Sequence, residues 1–225
     1  MKVLFLVESG SRGWGWESKD SDYDMRGVFI QNYNKLGLEP DQIDRKIGEF
    51  DITLWDLKKF LKLMIDSNPS CWEWLSSDVV YIDNPIRKRL KGMFEYCFSE
   101  DKLKQHYVSM AKNNFYKYIN NIGDTANLKK YIYVLRSIAC ILWIENFHTP
   151  PPKQYTQVIN LLPEDIKAFA LKVISDKKES ESLEGPRNKE VEKYIISFFD
   201  KKYEDTSNDF DITEIEEVLK DVLDG

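Results

Sequence analysis

The sequence predicts an α+β protein, in which a small mixed β-sheet domain with flanking helices (residues 1–98) is followed by a helical domain (residues 99–225). Two observations support this class. Short apolar segments typical of strands alternate with helical segments only in the amino-terminal part, as expected for a mixed sheet. From residue 86 onward, apolar residues recur mainly at the spacing of a helix.

The first strand is predicted at residues 2–7, a continuous apolar run that leads into the turn Ser9-Gly10-Ser11. Further strands are predicted at residues 22–30, 48–53 and 79–82. In a regular strand, alternate side chains share a face, so Asp22, Asp24 and Arg26 are expected on one side. The polar segment 32–48 is predicted to be a long loop or a short excursion.

From Leu57, apolar residues recur at the spacing of a helix, which is predicted to end at Ser67-Asn68-Pro69. Asp56 is the expected N-cap of this helix. Residues 70–77 are predicted to form a short helix or turn whose Trp72 and Trp74 belong to the core. The charged segment 176–187 is predicted to be a mobile loop, and the acidic end of the chain a solvated helix. The remaining helices are predicted at residues 85–98, 101–121, 126–147, 163–178, 189–202 and 212–223.

Composition limits the possible classes of function. The chain has 225 residues, 42% of them apolar, and a formal net charge of −6. It therefore has no global basic field for nucleic acid, and a local groove or bound metal ions would have to supply the attraction. No apolar run reaches the roughly 20 residues that cross a bilayer, and the apolar run that ends at Glu8 is shorter than the apolar core expected of a signal peptide. We expect a cytoplasmic protein that does not contact a membrane.

The cysteines point to no redox or zinc chemistry. Cys71, Cys97 and Cys140 are an odd number at wide spacings, and only two histidines are available to join them. This pattern excludes a disulfide framework and argues against a thiolate zinc site. Buried thiols are the expected state of all three.

Three carboxylates form the main candidate site. Asp22 and Asp24 project from one face of a strand, and Asp51 comes from the next predicted strand. Carboxylate oxygens suit Mg²⁺, or Mn²⁺ in its place, and two such ions would clamp the reacting oxygens of a phosphoryl transfer. Taken alone, Asp22 and Asp24 could also be the polar residues of a turn.

The glycine-rich turn before these carboxylates suits a triphosphate. Gly10, Ser11 and Gly13 are small enough for a close backbone approach, and Ser11 adds a hydroxyl. Arg12 offers a fork of donors, although a surface salt bridge is an equally good interpretation. Trp14 and Trp16 could stack on a base or hold the loop down.

At these residues the sequence resembles a known superfamily. The segments SGSRGWG, DSDYDMRGVFI and FDITLWDLKKFLKLMIDSNPSCWEWL resemble the Gly-Ser turn, the paired aspartates and the third-aspartate strand of DNA polymerase β nucleotidyltransferases. Together with HYVSMAKNNFYKYI and KKYIYVLRSIACILWI, they resemble more narrowly the predicted nucleotidyltransferases associated with RNA repair. The resemblance covers residues from about 7 to about 152.

The resemblance implies transfer of a nucleoside monophosphate from an NTP to an acceptor hydroxyl, with release of pyrophosphate. Gly10 and Ser11 would hold the triphosphate. Asp22 and Asp24 would ligate both metal ions, and Asp51 would ligate the catalytic ion and favour deprotonation of the acceptor. In the helical part, phosphates or the base would be contacted by residues on one side of a helix: Lys130, Tyr133 and Arg136. The alternative is an ordinary solvated helix face, except at Arg136, whose apolar neighbours require a carboxylate or phosphate partner.

Three functions are compatible with this pattern. The first is nucleotide transfer to an RNA end, and the second is transfer to a protein hydroxyl, which the acidic net charge mildly favours. The third is a non-catalytic nucleotide-binding module, which ranks last because all three carboxylates are present. The sequence does not choose the base, the acceptor or the oligomeric state.

Overall fold

The computed structural model describes residues 1–19, 21–31, 40–120, 123–177, 183–204 and 211–224. Seven strands are found in these ranges: β1 (Lys2–Glu8), β2 (Tyr23–Ile30), β3 (Gln42–Ile47), β4 (Phe50–Asp56), β5 (Val80–Ile82), β6 (Thr125–Asn127) and β7 (Glu184–Pro186). The helices are α1 (Gly10–Trp14), α2 (Leu57–Ile65), α3 (Pro69–Leu75), α4 (Pro85–Cys97), α5 (Glu100–Tyr118), α6 (Leu128–Phe147), α7 (Tyr155–Val158), α8 (Glu164–Lys177), α9 (Lys189–Ile196) and α10 (Ile212–Asp224), with a 3₁₀ turn at Ile159–Leu161.

The chain divides into two compact units. The first contains the described parts of Met1–Trp14, Asp22–Ser99 and Thr206–Gly225, and the second those of Gly15–Ser21 and Glu100–Asp205. A five-stranded mixed sheet belongs to the first unit, and a helical region follows it in the chain. The predicted α+β class is confirmed.

The sheet of the first unit has the strand order β3-β4-β2-β1-β5. The central pair, β2 and β4, is parallel, while the other neighbours are antiparallel. The chain must cross over between the parallel strands β2 and β4. Strand β3 lies within this crossover and pairs antiparallel with β4. This order places the carboxyl end of β1 beside the amino end of β2, which in turn lies beside the amino end of β4. The candidate residues lie at these three strand ends.

The polar sequence of segment 32–48 predicts a loop, but part of this segment forms a strand. Residues 32–39 lie outside the described residues, but Gln42–Ile47 forms β3 and pairs with β4 in register. The strand is largely exposed, so it shows no apolar alternation. A two-residue hairpin loop connects this strand to its partner β4. The loop begins at Gly48, where a φ of +59° suits glycine.

The core of the first unit lies between the sheet and helices α2, α3 and α4. Phe60 packs edge-on against Phe5 and stacks on Trp74, and Trp72 and Cys71 are also buried, as predicted. The acidic carboxyl-terminal helix α10 contributes Ile215 and Val218 to this core. It is therefore a packed element of the first unit, and its apolar stripe has a partner.

Helix α2 begins where its sequence predicted. The Asp56 side chain accepts a hydrogen bond of 2.9 Å from the backbone N–H of Lys58, and Asp56 is buried. We expect Asp56→Ala to lower the free energy of unfolding by about 1 kcal/mol, because an orphan helix N–H loses its acceptor. Chemical denaturation measures this loss. Asp78→Ala, which removes an exposed carboxylate outside any cap, is the control, and equal losses would contradict the assignment.

In the second unit, α5 and α6 pack against each other, and α6 buries most of its length, including Cys140. The segment 176–187 was predicted to be a mobile loop; residues 178–182 lie outside the described residues, but Glu184–Pro186 forms β7 and pairs with β6. These three-residue strands have no apolar pattern, and hydrogen bonds between distant segments define them. Helix α9 ends at Ile196, six residues earlier than predicted.

No helix among the described residues is long and apolar enough to cross a membrane. All three cysteines are buried thiols outside any disulfide, as expected. For Cys71, burial raises the pKa of the thiol well above its usual value. These thiols are therefore packing residues rather than nucleophiles.

Candidate functional site

Two of the three predicted carboxylates face each other across the parallel strand pair. Asp24 on β2 is in register with Asp51 on β4, and Asp22 lies one residue before β2. The structure thus brings the predicted residues together at one end of the sheet of the first unit. The side chains of Asp22 and Asp51 are 49% and 43% exposed and that of Asp24 is 26% exposed, so all three reach solvent.

The Arg26 guanidinium bridges the two facing carboxylates. One nitrogen lies 2.8 Å from Asp24 Oδ1 and 3.4 Å from Asp51 Oδ2, and the other donates to the Asp51 carbonyl at 2.6 Å. This cation lies on the carboxylate face, as its position in β2 predicted. It shows that the site attracts and holds positive charge.

A second cation, Lys46 on β3, forms an ion pair with Asp22. Lys46 is opposite Asp51 in the β3–β4 register. The pKa of Lys46 is raised, first by the hydrogen bond to Asp22 and also by the other carboxylates. The sequence interpretation missed this residue because it treated β3 as loop; the hairpin glycine Gly48 was the available signal.

The carboxyl group of Asp24 is perturbed by its surroundings. Its pKa is raised, mainly because burial disfavours the charged form, and the neighbouring carboxylates of Asp51, Glu8 and Asp22 add to this effect. Arg26 opposes the shift. A carboxyl group in such surroundings gains stability when a further cation approaches it.

The glycine turn lies directly against this carboxyl group. Gly10 has φ +55°, and a Cβ added there would lie 1.8 Å from Asp24 Oδ2. The predicted turn is the start of the short helix α1, in which Ser11 and Gly13 are buried. Arg12 stacks on the Tyr23 ring at 4.0 Å. Glycine is required at position 10 by both the backbone conformation and the contact with Asp24.

Glu8, which the sequence interpretation did not select, accepts a hydrogen bond from the Asp24 backbone. Glu8 is 1% exposed; one carboxylate oxygen accepts the Asp24 backbone N–H at 2.8 Å, and the other accepts the Tyr81 hydroxyl. The Asp24 carbonyl in turn accepts the Ser9 N–H at 2.8 Å. A glutamate that ends an apolar strand and directly precedes Ser9-Gly10 was the signal for this residue.

The predicted residues of the helical part belong to the second unit. Lys130 is half-buried above the rings of Tyr118 and Tyr133, at 4.3 and 4.9 Å. Arg136 is 3% exposed, and its guanidinium lies 3.5 Å from the Lys153 carbonyl oxygen. The three residues occur along one helix, α6, in the predicted order.

Both tryptophans near the turn are buried, which favours the structural interpretation. The Trp14 indole donates to Glu73 at 3.2 Å within the first unit. In the second unit, Trp16 packs edge-on against Tyr133, with ring centroids 5.2 Å apart. Neither side chain offers a free face to a base.

Across the described ranges, no group of three His, Cys, Asp or Glu side chains is close enough to hold a metal ion by itself. The carboxylates of Asp24 and Asp51 share Arg26, and that of Asp22 pairs with Lys46. The arrangement places three carboxylates, each paired with a basic side chain, beside a glycine turn.

The chain belongs to the RNA repair pathway DNA polymerase beta family, whose model matches residues 1–221. This is a DNA polymerase β-like nucleotidyltransferase family associated with RNA repair. The match includes the carboxylates, the glycine turn and both compact units. The resemblance noted from the sequence motifs is therefore confirmed.

Two curated relatives extend the comparison. The chain is 37% identical over 191 residues to the uncharacterized protein YcgL of Bacillus subtilis, covering 82% of this chain and 73% of the relative. It is 26% identical over 204 residues to the uncharacterized protein MJ0002 of Methanocaldococcus jannaschii, covering 87% and 79% respectively. The similarity thus spans both a bacterial and an archaeal protein over most of their lengths.

Proposed function

We propose that the protein transfers a nucleoside monophosphate from an NTP to the hydroxyl of an RNA end and releases pyrophosphate. The observation that carries this proposal is the register of Asp24 opposite Asp51, with Asp24 packed against the glycine turn at Gly10. Family membership supports nucleotide transfer in RNA repair. The RNA acceptor and the metal requirement are parts of the proposal.

The residues of the site fit Mg²⁺. All three candidate ligands are carboxylates, and a guanidinium already occupies the position of a bridging cation between Asp24 and Asp51. Mg²⁺ usually binds one or two carboxylates and completes its shell with water and substrate phosphates, so a full protein cage is not required. Asp22, Asp24 and Asp51 would hold the ions, which would neutralise the triphosphate and activate the acceptor hydroxyl.

The chain's own residues bind and orient the reactants. The backbone at Gly10 and Ser11 accommodates the triphosphate, and Asp51 favours loss of the proton from the acceptor hydroxyl. The acceptor oxygen forms a bond to the α-phosphorus, while the bond from that phosphorus to the oxygen of the β-phosphate breaks. Pyrophosphate leaves with the electron pair, and the hydroxyl proton passes to solvent.

A transfer assay tests the proposal. The protein is incubated with each labelled NTP, Mg²⁺ and short RNAs with a free terminal hydroxyl, and products are resolved on a denaturing gel. We expect an RNA longer by one nucleotide, and no product when EDTA removes the metal. Failure with all four NTPs would contradict the proposal, and label on a partner protein would instead identify a protein hydroxyl as acceptor.

We propose further that Glu8 and Tyr81 position Asp24 for this reaction. Tyr81→Phe leaves one Glu8 oxygen without its donor, and we expect kcat to fall about 10-fold at unchanged KM, since hydrogen bonds to charged groups contribute about 1.5–3 kcal/mol. Steady-state kinetics measure both constants. Tyr96→Phe, at a tyrosine that is 87% exposed on α4, is the control. An unchanged kcat, or a change in KM alone, would argue against positioning.

A further inference from the structure

The sheet of the first unit carries a row of large apolar side chains on the face opposite the carboxylates. Tyr23, Phe50 and Ile47 are directly opposed on β2, β4 and β3, and we call them the aromatic row. The opposed pair Asp24 and Asp51 lies one residue further along β2 and β4, and successive side chains of a strand point to opposite faces. The carboxylates and the aromatic row therefore share one end of the sheet.

Three planar groups contact one another at the aromatic row. The Arg12 guanidinium lies 4.0 Å from the centroid of the Tyr23 ring, and the Tyr23 and Phe50 rings are tilted against each other with centroids 5.4 Å apart. Phe50 is 37% exposed, and its neighbour Ile47 is 62% exposed. The series of planar groups thus ends at a ring that solvent reaches.

Two arginines give this face accessible positive charge. Arg12 lies over the aromatic row, and Arg45 is exposed on β3 two residues before Ile47, so that both belong to the same face. The Arg45 guanidinium donates to the Asp44 backbone carbonyl at 2.9 Å, a contact that leaves its charge in place. Glu49 adds an exposed carboxylate in the hairpin loop beside the row.

We propose that the aromatic row binds the acceptor RNA as a single strand, with unpaired bases stacked on Phe50 and Tyr23. Aromatic rings on neighbouring strands of a sheet form a surface on which unpaired RNA bases stack. The guanidinium groups of Arg12 and Arg45 supply positive charge for the RNA phosphates. This inference rests on the proposed function, because that function supplies an RNA acceptor.

The size and position of the aromatic row favour a polynucleotide over the base of a single NTP. Three neighbouring strands span about 10 Å, which is room for more than one base. The row lies on the opposite face of the sheet from Asp24 and Asp51, so an RNA bound there reaches the carboxylates around the strand ends. Tyr23, Phe50 and Arg45 are outside the set of residues that the family resemblance implies.

RNA binding in the absence of NTP tests the site without turnover. A fluorescent single-stranded RNA, a duplex of the same sequence and a fluorescent non-hydrolysable ATP analogue are titrated separately with the full chain. Phe50→Leu keeps an apolar side chain but removes the ring, and we expect it to weaken only the single-stranded RNA, by about 10-fold. Phe50→Tyr restores the ring and is expected to bind this RNA as the unsubstituted protein does.

The matched control removes a phenylalanine ring elsewhere. Phe147 on α6 is 49% exposed and packs against Trp143, with ring centroids 4.3 Å apart. Phe147→Leu is expected to leave all three affinities unchanged. An equal loss in this control, no loss in Phe50→Leu, or a loss shared by the duplex or the ATP analogue would overturn the proposal. So would sedimentation of the unsubstituted protein as a dimer and of Phe50→Leu as a monomer, because the face would then be a self-association interface.

The charge at Arg45 is tested by the salt dependence of binding. Arg45→Gln is expected to make the slope of log affinity against log salt concentration shallower by about 0.7, the value for one lost phosphate contact to a single strand. Lys172→Gln, at an exposed lysine of α8, is the control and should leave the slope unchanged. An unchanged slope in Arg45→Gln would contradict the assigned path of the RNA.

Photochemical crosslinking locates the RNA on the unsubstituted protein. A single-stranded RNA that carries 5-iodouridine is irradiated in the complex, and mass spectrometry identifies the crosslinked peptides. We expect crosslinks at Tyr23 or Phe50, and crosslinks only at other positions would overturn the proposal. Crosslinks at the aromatic row in a protein that transfers no nucleotide would overturn the proposed function alone. Nucleotide transfer with unchanged RNA affinity in Phe50→Leu would overturn the role of the aromatic row alone.

Discussion

Replacing Asp24 by asparagine is expected to lower the rate of nucleotide transfer by about 10³-fold or more, a loss of about 4 kcal/mol in transition-state stabilisation. The substitution keeps the shape of the side chain but removes the negative charge that would hold the metal ion. The backbone contacts of Asp24 to Glu8 and Ser9 do not depend on that charge. Single-turnover measurements with a labelled NTP and RNA determine the loss.

The same substitution is expected to leave the fold intact or to stabilise it. Burial raises the pKa of Asp24, which means that its ionised form is disfavoured in the folded protein, and asparagine removes this penalty. Thermal unfolding should therefore give an equal or higher Tm. Asp44→Asn, on the exposed face of β3 where Thr53 donates to the carboxylate, is the control and should retain full activity. Transfer by Asp24→Asn at the unsubstituted rate would exclude the assigned role.

Gly10→Ala is expected to lose activity by about 10²-fold or more. The added Cβ would lie 1.8 Å from Asp24 Oδ2, so the carboxylate must move, and a displacement of about 1 Å at a reacting group costs about 10²-fold in rate. The strained backbone adds a loss of stability of roughly 1–2 kcal/mol, since alanine disfavours φ near +55°. Transfer assays and denaturation curves measure the two effects separately.

Gly48→Ala separates the effect of backbone strain from the effect of moving the Asp24 carboxylate. Gly48 has almost the same backbone conformation, with φ +59°, but an added Cβ would meet no atom within 4 Å. We expect the two variants to lose similar stability, while only Gly10→Ala loses activity. If Gly48→Ala is equally inactive, the loss comes from destabilisation rather than from the position of Asp24.

Several elements follow from local sequence alone. Helix α2 has its cap at Asp56 and its end before Pro69 where capping and proline rules place them, and β1 is a plain apolar run. The paired aspartates at an interval of two residues, the glycine turn and the third aspartate also lie in one stretch of recognisable pattern. Each of these depends on residues close together in the chain, which is why the sequence predicts them.

Other elements have no local signal. Strand β3 is exposed and polar, so only its hydrogen bonds to β4 define it, and β6 and β7 are three-residue strands joined across nearly sixty residues of chain. The acidic helix α10 shows an amphipathic pattern, but the pattern does not say which core receives Ile215 and Val218. Pairing partners at long range depend on the whole fold rather than on propensity.

The candidate site likewise has some features that the sequence predicts and others that only the tertiary structure shows. The sequence by itself identified the three carboxylates and the glycine turn as candidates, because each belongs to a short motif of neighbouring residues. Only the tertiary structure decided that Arg26 bridges Asp24 and Asp51, that Lys46 pairs with Asp22, and that Glu8 holds Asp24 with the help of Tyr81. The physical reason is that strand register, which is set by hydrogen bonds between distant segments, brings these charges together.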